Sequence, residues 1–279
     1  MSETQRVAVE TFRTLHAGGC FVLPNPWDAG TAVYLRHLGF KALATTSAGF
    51  AFSRALPDAP SVLAVDDVLA HVRDIVQATP LPVNADFQNG YADSPEAVAK
   101  NVARCLETGV AGLSIEDATG AETPLYDIQL AVERIKAARV AIDASGVPVV
   151  LTGRCEAYLV RDSNAFSVSI ERLTAYAEAG ADCLYAPGVM DPREIDAIVK
   201  AVAPKPVNVL VSRPDPNLTV AALTDLGVRR ISVGSALARV AWGSFMRAAQ
   251  SIATTGTFDG LGESAVFADL NKIFIRSIL

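Results

Sequence analysis

The chain is poor in the groups that most often carry acid–base, nucleophilic and soft-metal chemistry. It has only 3 histidines and 4 cysteines in 279 residues. Cys20, Cys105, Cys155 and Cys183 form no Cys-x-x-C pair. In a chain of this length without a secretory pattern, buried free thiols are expected rather than a disulfide framework. No apolar run reaches the roughly 20 residues that a bilayer requires. The opening MSETQRVAVETFRTLHAGG lacks the basic-then-apolar order of a signal peptide. These absences predict a cytoplasmic protein with no membrane partner. Lys and Arg form no basic stripe and the formal net charge is −6, which excludes nucleic acid as an expected partner. An acidic protein that takes an anionic substrate needs local positive charge, and a metal ion can supply it.

What the sequence does contain is rhythm. Short apolar, β-branched runs recur at 20–23, 42–46, 82–86, 112–116, 149–153, 183–186, 207–211 and 230–234. Most are continuous rather than alternating, as in parallel strands buried on both faces. Helix-like stretches separate them. Residues 94–108 read Ser, Pro, Glu and end before Gly109; 191–202 opens DPREID; 169–178, 220–226 and 236–254 follow the same pattern. Eight strand–helix units predict an α/β fold of the (β/α)8 type, with residues 1–279 as one barrel domain and 260–279 as an apolar helical extension. An open doubly wound sheet is the competitor. Its Gly-rich fingerprint is missing, because the stretch after the first strand reads PNPWDAGTA. The stretch SAGFAFSRALPDAPSV is left as a long loop after the second strand, and such loops are often functional.

Active sites of such barrels lie where the strands end. None of His16, His37 and His71 falls at such an end, nor do any of Lys41, Lys100, Lys136, Lys200, Lys205 and Lys272. That argues against a His-ligated zinc, a His base or a Schiff-base lysine. Ser47 has no histidine partner, so it is no triad nucleophile. Asp86 and Glu116 do fall at adjacent strand ends. Two carboxylates that close repel unless a proton or a cation lies between them. Oxygen ligands suit Mg2+ or Mn2+. Arg154, after the fifth strand, can clamp a carboxylate through paired N–H groups. Backbone amides at Ala48 and Gly49 can hold its other oxygen. Together they make a receptor for a small 2-oxo acid, with a metal-stabilised enolate behind C–C cleavage, decarboxylation or P–C chemistry. Thr119, Tyr126 and Glu156 are the remaining acid–base candidates, and Glu156 equally suits an ion pair with Arg154. Two other readings stand beside this one. The VGSALAR turn after the eighth strand suits a phosphate cradle at Gly234 and Ser235, and a non-catalytic keto-acid binder fits the same residues.

The stretches LPNPWDA, ATTSAGFA, ALPD, VNADFQNGY, GVAGLSIEDATG, VLTGR, AGADCLYAPG and PVNVLV resemble the isocitrate lyase / phosphoenolpyruvate mutase superfamily over residues 21–274. The resemblance implies a Mg2+- or Mn2+-dependent barrel acting on a small 2-oxo (di)carboxylate. It also implies a homo-oligomer, a dimer of dimers, that exchanges its C-terminal helix. By position, Ser47, Ala48 and Gly49 match the substrate-binding turn, and Asp58 matches the Asp of the long loop. Asp86 and Glu116 match metal-linked acids, Arg154 the carboxylate-binding Arg, and Asn208 a substrate-contacting Asn. The departures narrow the chemistry. Asn84 stands where the family has the first Asp of its D-x-D pair, which removes one negative charge: either the metal is held more weakly or the Asn84 amide holds a metal-bound water. EDATGAETPLYD lacks the Lys-Arg-Cys-Gly-His segment of the lyases and the gate of the mutases. Pro187 stands where some members carry Glu or His. Oxaloacetate decarboxylation is the least demanding reaction left.

Overall fold

A computed structural model describes residues 3–59, 62–120 and 124–278, with the side chains of 276–278 excepted. Residues 60 and 61 of the long connection and 121–123 of EDATGAETPLYD lie outside the described residues, as does the final residue of the tail.

Strand β1 (Phe21–Leu23) follows helix α1 (Glu3–Ala17) and leads into α2 (Ala29–His37). Then come β2 (Leu43–Ala44), α3 (Ser47–Ser53), α4 (Val65–Gln77), β3 (Val83–Asp86) and α5 (Pro95–Leu106). The order continues with β4 (Gly112–Glu116), α6 (Ile128–Ala144), β5 (Val150–Arg154), α7 (Ala165–Glu178), β6 (Cys183–Tyr185) and α8 (Pro192–Val202). It ends with β7 (Val207–Leu210), α9 (Val220–Asp225), β8 (Arg230–Ser232), α10 (Ala236–Thr255) and α11 (Phe267–Ile278). All ladder pairs are parallel, in the order β1-β8-β7-β6-β5-β4-β3-β2. The Ala44 N–H donates to the Pro24 carbonyl at 3.0 Å and brings β2 against the end of β1. The eight predicted strands thus form the nearly closed barrel of a (β/α)8 fold.

Alternation within each strand builds two interiors. Leu113, Ile115, Leu151, Leu184, Val209 and Ile231 are buried in the layer under the helices. Each such side chain contributes roughly 1.5–3 kcal/mol of burial. The alternate positions face the barrel axis and are polar: Asn84, Asp86, Ser114, Glu116, Thr152, Arg154, Tyr185, Asn208 and Arg230. The register carries Glu116 opposite Arg154, Arg154 opposite Tyr185, and Tyr185 opposite Asn208. Polar side chains from four strands therefore share one rim.

The caps read from the sequence at Ser94 and Asp191 are present, each side chain accepting a first-turn N–H. Two expectations change. The stretch after β2 is not all loop. Thr46 caps a short helix there by accepting the Gly49 N–H, which nucleates α3 where no apolar period announces it. And α7 begins before Ser169, which is buried mid-helix beside the Cys155 thiol rather than serving as a cap. Cysteines 20, 105, 155 and 183 are all free. No helix among the described residues is long and apolar enough to cross a membrane.

Beyond the barrel, α10 exposes Trp242, Phe245 and Met246. Helix α11 touches α2, where Phe274 lies over Gly30, and leaves Phe267 and Ile275 in solvent.

Candidate active site

A cavity of about 160 Å3 opens at the C-terminal ends of the strands. Its lining includes Ser47, Ala48, Asp58, Asn84, Asp86, Arg154 and Asn208. Seven of the predicted site residues are therefore brought together from β2, β3, β5, β7 and the connections after them. Glu116 reaches the same place through Arg154.

Arg154 is the hub. Its Nη1 lies 3.1 Å from Asp86 Oδ1 and 3.1 Å from Glu116 Oε2, and its Nε donates to Glu156 Oε1 at 2.5 Å. Its Nη2 has no partner among the described residues, so two N–H groups remain for a ligand. The Tyr185 ring lies 5.3 Å from the guanidinium carbon. Burial opposes the charge on Arg154, but Glu116, Glu156 and Asp86 outweigh it and hold the group protonated. Burial also lifts Glu116 well above the usual glutamate range, against the pull of Arg154 and with the push of Glu156 and Asp86. Glu156 is raised by burial in the same way. Asp58 is raised by burial and by Asp86. The site thus gathers more acid around Arg154 than that guanidinium neutralises.

Ser47 donates its backbone N–H to Asp86 Oδ2 at 2.9 Å, and Thr45 Oγ1 accepts the Asp86 N–H at 2.9 Å. Both contacts tie β3 to the turn after β2. The expectation for Gly49 is corrected. Its amide is taken by the Thr46 cap at 3.2 Å and it does not line the cavity. It is glycine for packing, since a Cβ there lies 2.6 Å from Thr46 Cγ2 and 3.0 Å from Trp27 Cβ. Asp58 accepts from Gln88 Nε2 at 3.4 Å. Asn208 lines the cavity with its amide already engaged, Oδ1 by Arg230 at 2.9 Å and Nδ2 by Ser232 at 2.9 Å. Tyr126 is drawn off towards Asp93, to which its hydroxyl donates at 2.5 Å, with Arg134 over its ring. Of the phosphate cradle expected at Gly234 and Ser235, the Gly234 amide is engaged from within: Asn25 Oδ1 accepts the Val233 and Gly234 N–H groups at 3.0 and 2.8 Å, while Gly234 and Ser235 both line the cavity.

The donor set was tested against a divalent cation. Its ligands are oxygens, its acid exceeds its base, and Asn84 Oδ1 and Gln88 Oε1 are buried with no partner. Those orphaned acceptors suit the water shell that Mg2+ keeps. Among the described residues no three His, Cys, Asp or Glu side chains are grouped to hold an ion. The chain therefore offers one or two direct carboxylates, with water and substrate completing the shell. Asn84 sits one pleat below Asp86, its Nδ2 turned to the Ala85 carbonyl at 3.1 Å and its Oδ1 facing Gly112.

The model for phosphoenolpyruvate phosphomutase matches residues 12–253. The chain belongs to the phosphoenolpyruvate mutase / isocitrate lyase superfamily. It is 36% identical to an uncharacterised protein of Mycobacterium tuberculosis over 81% of this chain and 82% of that one. A protein of Burkholderia cenocepacia J2315 assigned as a lyase or mutase superposes with a TM-score of 0.93 at 47% identity, covering 98% and 97% of the two chains. An oxaloacetate acetylhydrolase in complex with its product oxalate superposes with a TM-score of 0.86 at 25% identity, covering 98% and 95%.

The sequence reading passed over Asn25, Gln88 and Asp117 as functional positions. Asn25 and Asp117 carried a signal, their places at the ends of β1 and β4; the partners of all three come from distant segments.

Proposed function

We propose that this chain is a divalent-metal-dependent lyase or hydrolase of small 2-oxo (di)carboxylates, with oxaloacetate as the first candidate. The observation that carries the reading is the Arg154 guanidinium, held on two sides by Asp86, Glu116 and Glu156 with Nη2 left for a ligand. Nη2 of a guanidinium fixed in this way offers its N–H groups to a carboxylate oxygen as charge-assisted hydrogen bonds. The turn at Ser47 and Ala48 lines the cavity beside it. Its volume of about 160 Å3 suits a three- or four-carbon acid. Asp86, with Glu116 and Asn84 through water, would hold Mg2+ or Mn2+, which would supply positive charge for the keto and carboxylate oxygens. Arg154 would orient the substrate carboxylate.

The oxalate-bound oxaloacetate acetylhydrolase supports oxaloacetate as the first candidate; the family model for phosphoenolpyruvate phosphomutase keeps P–C chemistry as the second reading. The exposed apolar faces of α10 and α11 favour a homo-oligomer, a dimer of dimers with exchanged C-terminal helices. The test is NMR of oxaloacetate incubated with protein and Mg2+ or Mn2+. Pyruvate marks decarboxylation, and oxalate with acetate marks hydrolysis. No turnover of oxaloacetate, phosphonopyruvate or 2-methylisocitrate with either metal overturns the assignment.

A further inference from the structure

Asp117 follows Glu116 at the end of β4, yet its carboxylate faces α7 rather than the cavity. It is 2% exposed. Oδ1 accepts the Glu156 backbone N–H at 2.8 Å. Oδ2 accepts the Tyr176 hydroxyl at 2.6 Å and Arg172 Nη1 at 3.1 Å. Arg172 Nη2 donates in turn to the Tyr126 carbonyl at 2.8 Å, and the Tyr126 N–H donates to the Asp117 carbonyl at 2.9 Å. One carboxylate thus ties together the base of the β4–α6 connection, the turn after β5, and α7.

We propose that Asp117 is a positioning residue for the candidate active site: by fixing the Glu156 backbone it sets the aim of the Arg154 guanidinium. The proposal rests on the reading of Arg154 as the carboxylate receptor. A planar group is oriented by two points of attachment. For Arg154 one point is Nη1, between Asp86 and Glu116, and the other is Nε, on Glu156. Glu156 follows Arg154 by two residues and so lies on the same side of the chain as β5 ends, and the path of its backbone decides whether its carboxylate meets Nε. The Asp117–Glu156 N–H bond holds that backbone in place. Without it the guanidinium pivots on Nη1, and Nη2 no longer presents paired N–H groups to a fixed place.

The test compares wild type with Asp117→Asn, Glu156→Gln and the double variant, using two readouts on full-length protein. The first needs no ligand: the 15N resonance of the Arg154 Nε–H, assigned by its loss in Arg154→Lys. The second is calorimetric affinity for oxalate with Mg2+. Expected for Asp117→Asn are a displaced, faster-exchanging Nε–H signal and oxalate affinity about tenfold weaker, with the double variant no weaker than the worse single one. An unmoved Nε–H signal in folded Asp117→Asn overturns the proposal, as do losses that multiply in the double variant. If Asp117→Asn fails to fold, Tyr176→Phe keeps the carboxylate and its arginine, and a smaller displacement of the same signal is expected; no displacement overturns the proposal. Failure of the wild type to bind oxalate contradicts the proposed function, while the Nε–H signal still decides the role of Asp117.

Discussion

Oδ1 of Asp86 accepts from Nη1 of Arg154 at 3.1 Å, joining the ends of β3 and β5 across the intervening β4. The contact places Arg154 beside Glu116 and Glu156, whose protons burial holds tightly. The same geometry dictates how the site responds when its charges are changed.

Arg154→Met leaves Glu116, Glu156 and Asp86 without their cation. Removing one partner of a buried pair costs about 3–5 kcal/mol. The sign of its pH dependence follows from the raised glutamates. The folded state binds their protons more tightly than the unfolded chain, so stability falls as pH rises above the ordinary glutamate value. The variant raises those folded values further and steepens the fall. Urea unfolding at pH 5 and pH 8 is expected to show a larger loss at pH 8. An equal loss at both contradicts the charge account.

Gly49→Ala tests whether this glycine serves packing. The added Cβ meets Thr46 Cγ2 at 2.6 Å and Trp27 Cβ at 3.0 Å. Overpacking of this kind costs about 1–3 kcal/mol. The expected outcome is a lower urea midpoint with an unchanged slope. Wild-type stability with weakened oxalate binding instead restores the amide to a ligand role.

His71→Phe should stabilise the protein in acid. The His71 ring stacks on Phe50 with centroids 3.9 Å apart, and its Nε2 has no partner. Burial depresses its pKa to about 4 from 6.5, against the pull of Asp74. Between those values the unfolded chain binds the proton and the fold does not, so wild-type stability is lost as pH falls through that window. Phenylalanine keeps the stack and removes the titration. Its advantage is expected to grow from pH 7 to pH 4 towards about 3 kcal/mol at most, less solvent screening. Parallel stability curves contradict it.

The barrel and the ends of its strands are legible in the sequence because burial on both faces writes them as apolar runs. Gly112–Glu116 is found to the residue, and Asp86 and Arg154 stand where such runs stop. The pairing of Arg154 with Glu156 is legible too, since the two are neighbours in sequence. What escapes is what the fold assembles from afar. Asp117 and Tyr176 are 59 residues apart, and Asn25 meets Gly234 across 209. No local pattern announces either contact. Helix α3 escapes for a different reason: its seven residues are too few to display a period, and a threonine cap defines it instead.

The central claim is that Asp86 and Arg154 receive a 2-oxo acid together with a divalent cation. Oxalate stands in for the acid, and calorimetric titration of oxalate into the protein, with Mg2+ and with chelator, tests the claim most directly. The account predicts binding that requires Mg2+ and is lost in both Asp86→Asn and Arg154→Met. Binding that survives the chelator and both substitutions, or no binding by the wild type with Mg2+, contradicts it.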